Sequence, residues 1–118
     1  MVKPFFAGCC AILLASSALA CGVMEKADPR VGSTVASAER VTLMFSETIV
    51  PDSSGVKVTG AGGDEVKTDA PVSSKGDTVL SLKPLHPLAS GTYKVTWSVL
   101  WKDCDSQTQG SYKFTVAP

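Results

Sequence analysis

The sequence predicts an all-β sandwich, and three observations carry that prediction. From residue 21 onward no stretch keeps a helical period. Short β-rich runs recur instead every eight to twelve residues, separated by turn residues. The longest run, Gly91 to Trp101, places Tyr93, Val95, Trp97, Val99 and Trp101 on one face by period two.

Residues 1–20 stand outside that pattern. Lys3 supplies a short positive region, and Phe5 to Leu14 form an apolar run of ten residues. Ser16, Ser17 and Ala18-Leu19-Ala20 supply the small residues of a cleavage site. This is the layout of a cleavable secretory signal. The run is too short to remain in a bilayer, which needs about twenty helical residues. Cleavage after Ala20 leaves a domain of residues 21–118, large enough to bury one core unaided.

Seven strands follow in order. A short extended segment spans Val23 to Ala27. Val41 to Phe45 alternates and is bounded by Ser46-Glu47. Gly55 to Thr59 and Glu65 to Thr68 flank the turn Gly60-Ala61-Gly62-Gly63-Asp64. Lys75-Gly76-Asp77 turns into Thr78 to Leu82. Gly91 to Trp101 comes next, and Gly110 to Val116 closes the chain with Tyr112, Phe114 and Val116 on one face. Pro71, Pro84 and Pro87 fall between runs, where they interrupt no ladder. Met24 and Met44 read as core positions. Leu88-Ala89-Ser90-Gly91-Thr92-Tyr93 has the spacing of a tyrosine corner, whose phenol bonds the backbone upstream and pins a crossover between sheets.

Charge and composition exclude several functions. Without Lys3 the chain carries ten basic and eleven acidic side chains, scattered singly. That balance offers no clustered basic patch for nucleic acid. The single histidine, His86, sits between Leu85 and Pro87 in a turn and reads as an exposed loop residue. No Ser/His/Asp set can be assembled without it, and no phosphate loop opens a helix. The expectation is therefore a protein that is not an enzyme.

Cys9 and Cys10 leave with the signal, so Cys21 and Cys104 remain. An even pair in an oxidising compartment is first a disulfide candidate. Lys102-Asp103-Cys104-Asp105, just after the long strand, sets two carboxylates around a thiol. As metal ligands these mix hard oxygen with soft sulfur and select no single metal. Two or three local ligands are also too few to close a site. The other reading is a polar loop whose Cys104 is bonded to Cys21. Cys21 as a lipidated N-terminus is a third, although Ala18 stands where a lipoprotein signal usually has Leu.

Several blocks, in order, resemble the periplasmic copper-resistance proteins of the CopC family. They are Met24-Glu25-Lys26-Ala27-Asp28-Pro29 with Gly32-Ser33, and Val41-Thr42-Leu43-Met44-Phe45-Ser46-Glu47. Leu82-Lys83-Pro84-Leu85-His86-Pro87-Leu88, Gly91 to Trp97, and Gly110 to Val116 continue the likeness. It covers essentially all of residues 21–118. The resemblance implies a cupredoxin-like or immunoglobulin-like Greek-key sandwich. It further implies a periplasmic copper-binding carrier or buffer in copper resistance or homeostasis. The expected partners are the copper ion and an inner-membrane copper importer, with the domain itself monomeric.

By position, the family's N-terminal His ligand falls on Cys21 and its Asp on Asp103. The second His falls on Asp105, and Glu47 keeps the family's Glu. The metal ligands implied are thus Cys21, Asp103, Asp105 and Glu47, binding Cu(II) or Cu(I). Both imidazoles of the pattern are replaced. Imidazole suits Cu(II), whereas thiolate favours Cu(I) and is oxidised by Cu(II). The resemblance also brings Cys21 near the 103–105 loop. The alternative is then a non-metal structural or interaction module whose Cys21–Cys104 disulfide replaces the copper site. Such a bond would close a loop worth roughly 4 kcal/mol.

Overall fold

A computed structural model describes residues 21–118, so residues 1–20, which the sequence predicts to be a cleavable signal, lie outside the described residues. The described chain is a sandwich of two four-stranded sheets. The strands are β1 (Met24–Asp28), β2 (Thr34–Val35), β3 (Val41–Phe45) and β4 (Gly55–Thr59). They continue with β5 (Val72–Ser74), β6 (Val79–Leu82), β7 (Gly91–Trp101) and β8 (Ser106–Val116). One sheet runs β2-β8-β7-β4 and the other β1-β3-β6-β5, so the chain crosses between layers in Greek-key fashion.

Period-two alternation decides which side chains enter the core. Val41, Leu43 and Phe45 of β3, with Leu82 and Leu80 beside them on β6, pack into one core with the inward row Tyr93, Val95, Trp97, Val99 and Trp101 of β7. Phe45 packs edge-on against Trp97 and Trp101, with ring centroids 5.5 and 5.8 Å apart. Tyr93 stacks on Phe114 at 5.6 Å. The alternation corrects one expectation, because Met44 falls on the outer face of β3 and is only half-buried. Met24 is partly buried and packs against the core.

The expected tyrosine corner is present. Tyr93 Oη donates to the Ala89 carbonyl at 2.7 Å, fixing the crossover into β7.

Among the described residues, eight strands stand where the sequence predicted seven. Glu65 to Thr68 makes only isolated bridges, Thr59 with Glu65 and Thr68 with Pro84. β2 and β5 are additional, of two and three residues. β8 begins at Ser106 rather than Gly110, so it pairs with β7 along its whole length, from Ser106–Trp101 to Val116–Gly91. The loop after β7 therefore shrinks to four residues, 102–105.

Candidate functional site

Residues 21–23 and the β7–β8 turn meet at one end of the sandwich. Gly22 makes that meeting close. It is buried, and a Cβ placed on it would lie 2.8 Å from Trp101 Cζ3, 2.9 Å from Ser46 Oγ and 3.0 Å from Glu47 Cγ. Only glycine fits such an approach. Backbone bonds hold the segment there: Val23 N donates to Ser46 Oγ and Ser46 N donates to the Val23 carbonyl, both at 2.9 Å.

The same loop that carries Ser46 and Glu47 is tied to the end of β7. Lys102 N donates to the Thr48 carbonyl at 3.0 Å, Val50 N donates to the Leu100 carbonyl at 2.8 Å, and Ile49 bridges Trp101. Trp101 Nε1 donates to Thr108 Oγ1 at 2.8 Å, which fixes the indole beneath Gly22. Asp105 N donates to the Trp101 carbonyl at 3.1 Å and closes the turn. Asp105 itself is left-handed, with φ 52°. Asp tolerates that region better than most residues.

These constraints place five sequence-predicted residues at one end of the sandwich. The Sγ atoms of Cys21 and Cys104 are in contact, with Cα atoms 6.3 Å apart. That span falls inside the roughly 4.4–6.8 Å a disulfide requires. Cys21 is half-buried against the core, and Cys104 is exposed. Asp103 and Asp105 flank Cys104 and are exposed, and exposed Glu47 lies against Gly22. Among the described residues no three His, Cys, Asp or Glu side chains converge as metal ligands. His86 is exposed near the start of β7, whereas this site lies at its end. Eleven residues at about 3.4 Å each put roughly 35 Å of strand between the two ends.

Sequence reasoning did not find the residues that position the site. Gly22, Ser46, Thr48 and Trp101 act through a packing contact and backbone bonds that no local pattern announces.

A family model for the CopC domain matches residues 24–117, essentially the whole described chain. The chain belongs to the CopC family. Copper resistance protein C of Escherichia coli is 32% identical over 97% of this chain and 95% of its own length. The crystal structure of PcoC, described as a methionine-rich copper resistance protein from Escherichia coli, superposes with a TM-score of 0.73. It is 29% identical, and the match covers 82% of this chain and 99% of PcoC. CopC from Methylosinus trichosporium OB3b gives a TM-score of 0.74 at 27% identity, over 82% of this chain and 94% of that one. The CopC sandwich is therefore this chain's fold.

Proposed function

We propose that this chain is an exported, periplasmic copper-binding protein, a carrier or buffer rather than an enzyme. It takes copper as cargo at the sandwich end built by Cys21, Glu47, Asp103 and Asp105, with Cys104 beside them. One observation carries the reading: Gly22 packs the chain's start against Trp101 and Glu47, beside the 102–105 turn. Sulfur and carboxylate donors far apart in sequence thus share one end of a CopC sandwich. Membership of a family whose relatives are named copper resistance proteins supports copper as the cargo. An inner-membrane importer is the natural receiver of such cargo.

The contact between Cys21 and Cys104 favours a second reading. In it the pair forms a permanent disulfide, and the domain is a structural or interaction module of the same fold. Copper titration of protein purified from the periplasm separates the two. The copper reading expects one equivalent bound at micromolar concentration by the thiol form. Asp103→Asn and Glu47→Gln should each weaken binding by about tenfold, as loss of one charged ligand does. Failure to bind copper in any redox state contradicts this reading and leaves the module.

A further inference from the structure

We infer that the Cys21–Cys104 pair is a two-electron gate on copper capture. Joined, the pair leaves this end of the sandwich with oxygen donors; opened, it presents two thiolates to Cu(I). The inference rests on the copper reading above and adds its redox condition.

The donor inventory comes first. Around the pair stand the carboxylates of Glu47, Asp103 and Asp105 and the hydroxyl of Ser46. Oxygen ligands of this kind suit hard cations, whereas Cu(I) selects thiolate and thioether. The nearby thioether of Met24 is packed against the core. The imidazole of His86 belongs to the other end of β7. The two cysteines are therefore the soft donors this end can offer, and in a disulfide neither is a thiolate.

The second point is what holds the two sulfurs close. It is not the bond between them alone. On the Cys21 side, the paired Val23–Ser46 hydrogen bonds and the Gly22–Trp101 packing anchor the segment. On the Cys104 side, Lys102 N to Thr48 O and Asp105 N to Trp101 O anchor the turn. All of these survive reduction, so the opened pair stays a neighbouring dithiol rather than two separated thiols. Cys104 is also exposed at the tip of a four-residue turn, which gives a reductant a sulfur to attack.

The chemistry balances. A dithiol reductant delivers two electrons and two protons, the S–S bond breaks, two thiols form, and the reductant leaves as its own disulfide. Cu(I) then displaces the thiol protons and is held by two sulfurs. In the closing direction, two Cu(II) ions each take one electron from the open pair. The disulfide re-forms, two protons leave, and two Cu(I) ions are released from sulfur. Cu(II) thus shuts the gate that a thiol reductant opens.

The test compares the exported protein as isolated with the same protein reduced and freed of reductant. Cu(I) is offered without oxygen from a coloured Cu(I) chelator, and free thiols are counted in parallel. The reduced form should take one Cu(I) about 100-fold more tightly than the form without free thiols, since only it has soft anionic ligands. Reduced Cys104→Ser, shown folded by its melting curve, should fall at least about tenfold below reduced wild type on the same ground. Equal Cu(I) affinity in the two wild-type forms overturns the gate and leaves the copper reading standing. Absence of Cu(I) and Cu(II) binding in both forms overturns the gate and the copper reading together.

Discussion

Gly22 lacks a side chain at a point where the structure has no space for one. An alanine there would push its Cβ into the Trp101 ring and the Ser46 hydroxyl. Gly22→Ala should therefore cost about 1–3 kcal/mol, the usual penalty for overpacking, read as a shift in the urea midpoint. Tyr93→Phe removes the Tyr93 Oη–Ala89 bond and should cost about 1 kcal/mol by the same measurement. Tyr112 presents the opposite case. Its buried hydroxyl has no hydrogen-bond partner, and its pKa is pushed above the ordinary tyrosine value by burial, with Asp28 adding to the shift. The unfolded chain therefore gives up this proton more readily than the folded one. The stability linked to Tyr112 is complete below the ordinary tyrosine pKa of about 10 and is lost as pH rises beyond it. Tyr112→Phe should flatten the alkaline arm of a stability–pH curve. A curve with an unchanged alkaline arm would contradict this account.

At the scale of elements, β7 and β8 form the spine of one sheet, and their pairing explains both what was legible and what was hidden. β3, β4 and β7 match their sequence-predicted limits because alternation and flanking turn residues mark both ends. The first third of β8 carries no such mark. Its inward positions Ser106, Thr108 and Gly110 are small or polar, because the indoles of β7 cover them. Trp101 Nε1 bonds Thr108 Oγ1, and a Cβ on Gly110 would lie 2.7 Å from Trp97 Cζ2. An apolar period is absent where a neighbouring ring supplies the apolar surface. β2 and β5, at two and three residues, are too short to show any period. On the outer face of the same sheet Lys94 stands directly opposite Lys113. Like charges so placed repel, and the four strands of this sheet contain no Asp or Glu. Lys94→Glu should stabilise the domain by about 0.2–1 kcal/mol. The gain should shrink in high salt, which thermal melts at two ionic strengths would report.

At the scale of the whole fold, the Cys21–Cys104 contact links residues separated by 83 positions and ties the segment before β1 to the last hairpin. Loop entropy makes a disulfide across that span worth about 4 kcal/mol. Reduction should then lower the unfolding free energy by about 2–4 kcal/mol while leaving the β-sheet circular dichroism unchanged. The family was legible from ordered blocks along the chain, because a sandwich of this size commits most of its residues to one core. The site was legible only in part. Cys21, Glu47, Asp103, Cys104 and Asp105 could be named from the sequence. Their assembly depends on Gly22, Ser46 and Trp101, whose roles exist only in three dimensions. Copper handled by sulfur and carboxylate in place of imidazole is the central claim for this molecule. X-ray absorption at the copper edge of the reduced, copper-loaded protein tests it most directly. The account predicts a copper shell dominated by sulfur, without imidazole scattering. A shell dominated by imidazole, which only His86 could supply, would contradict it.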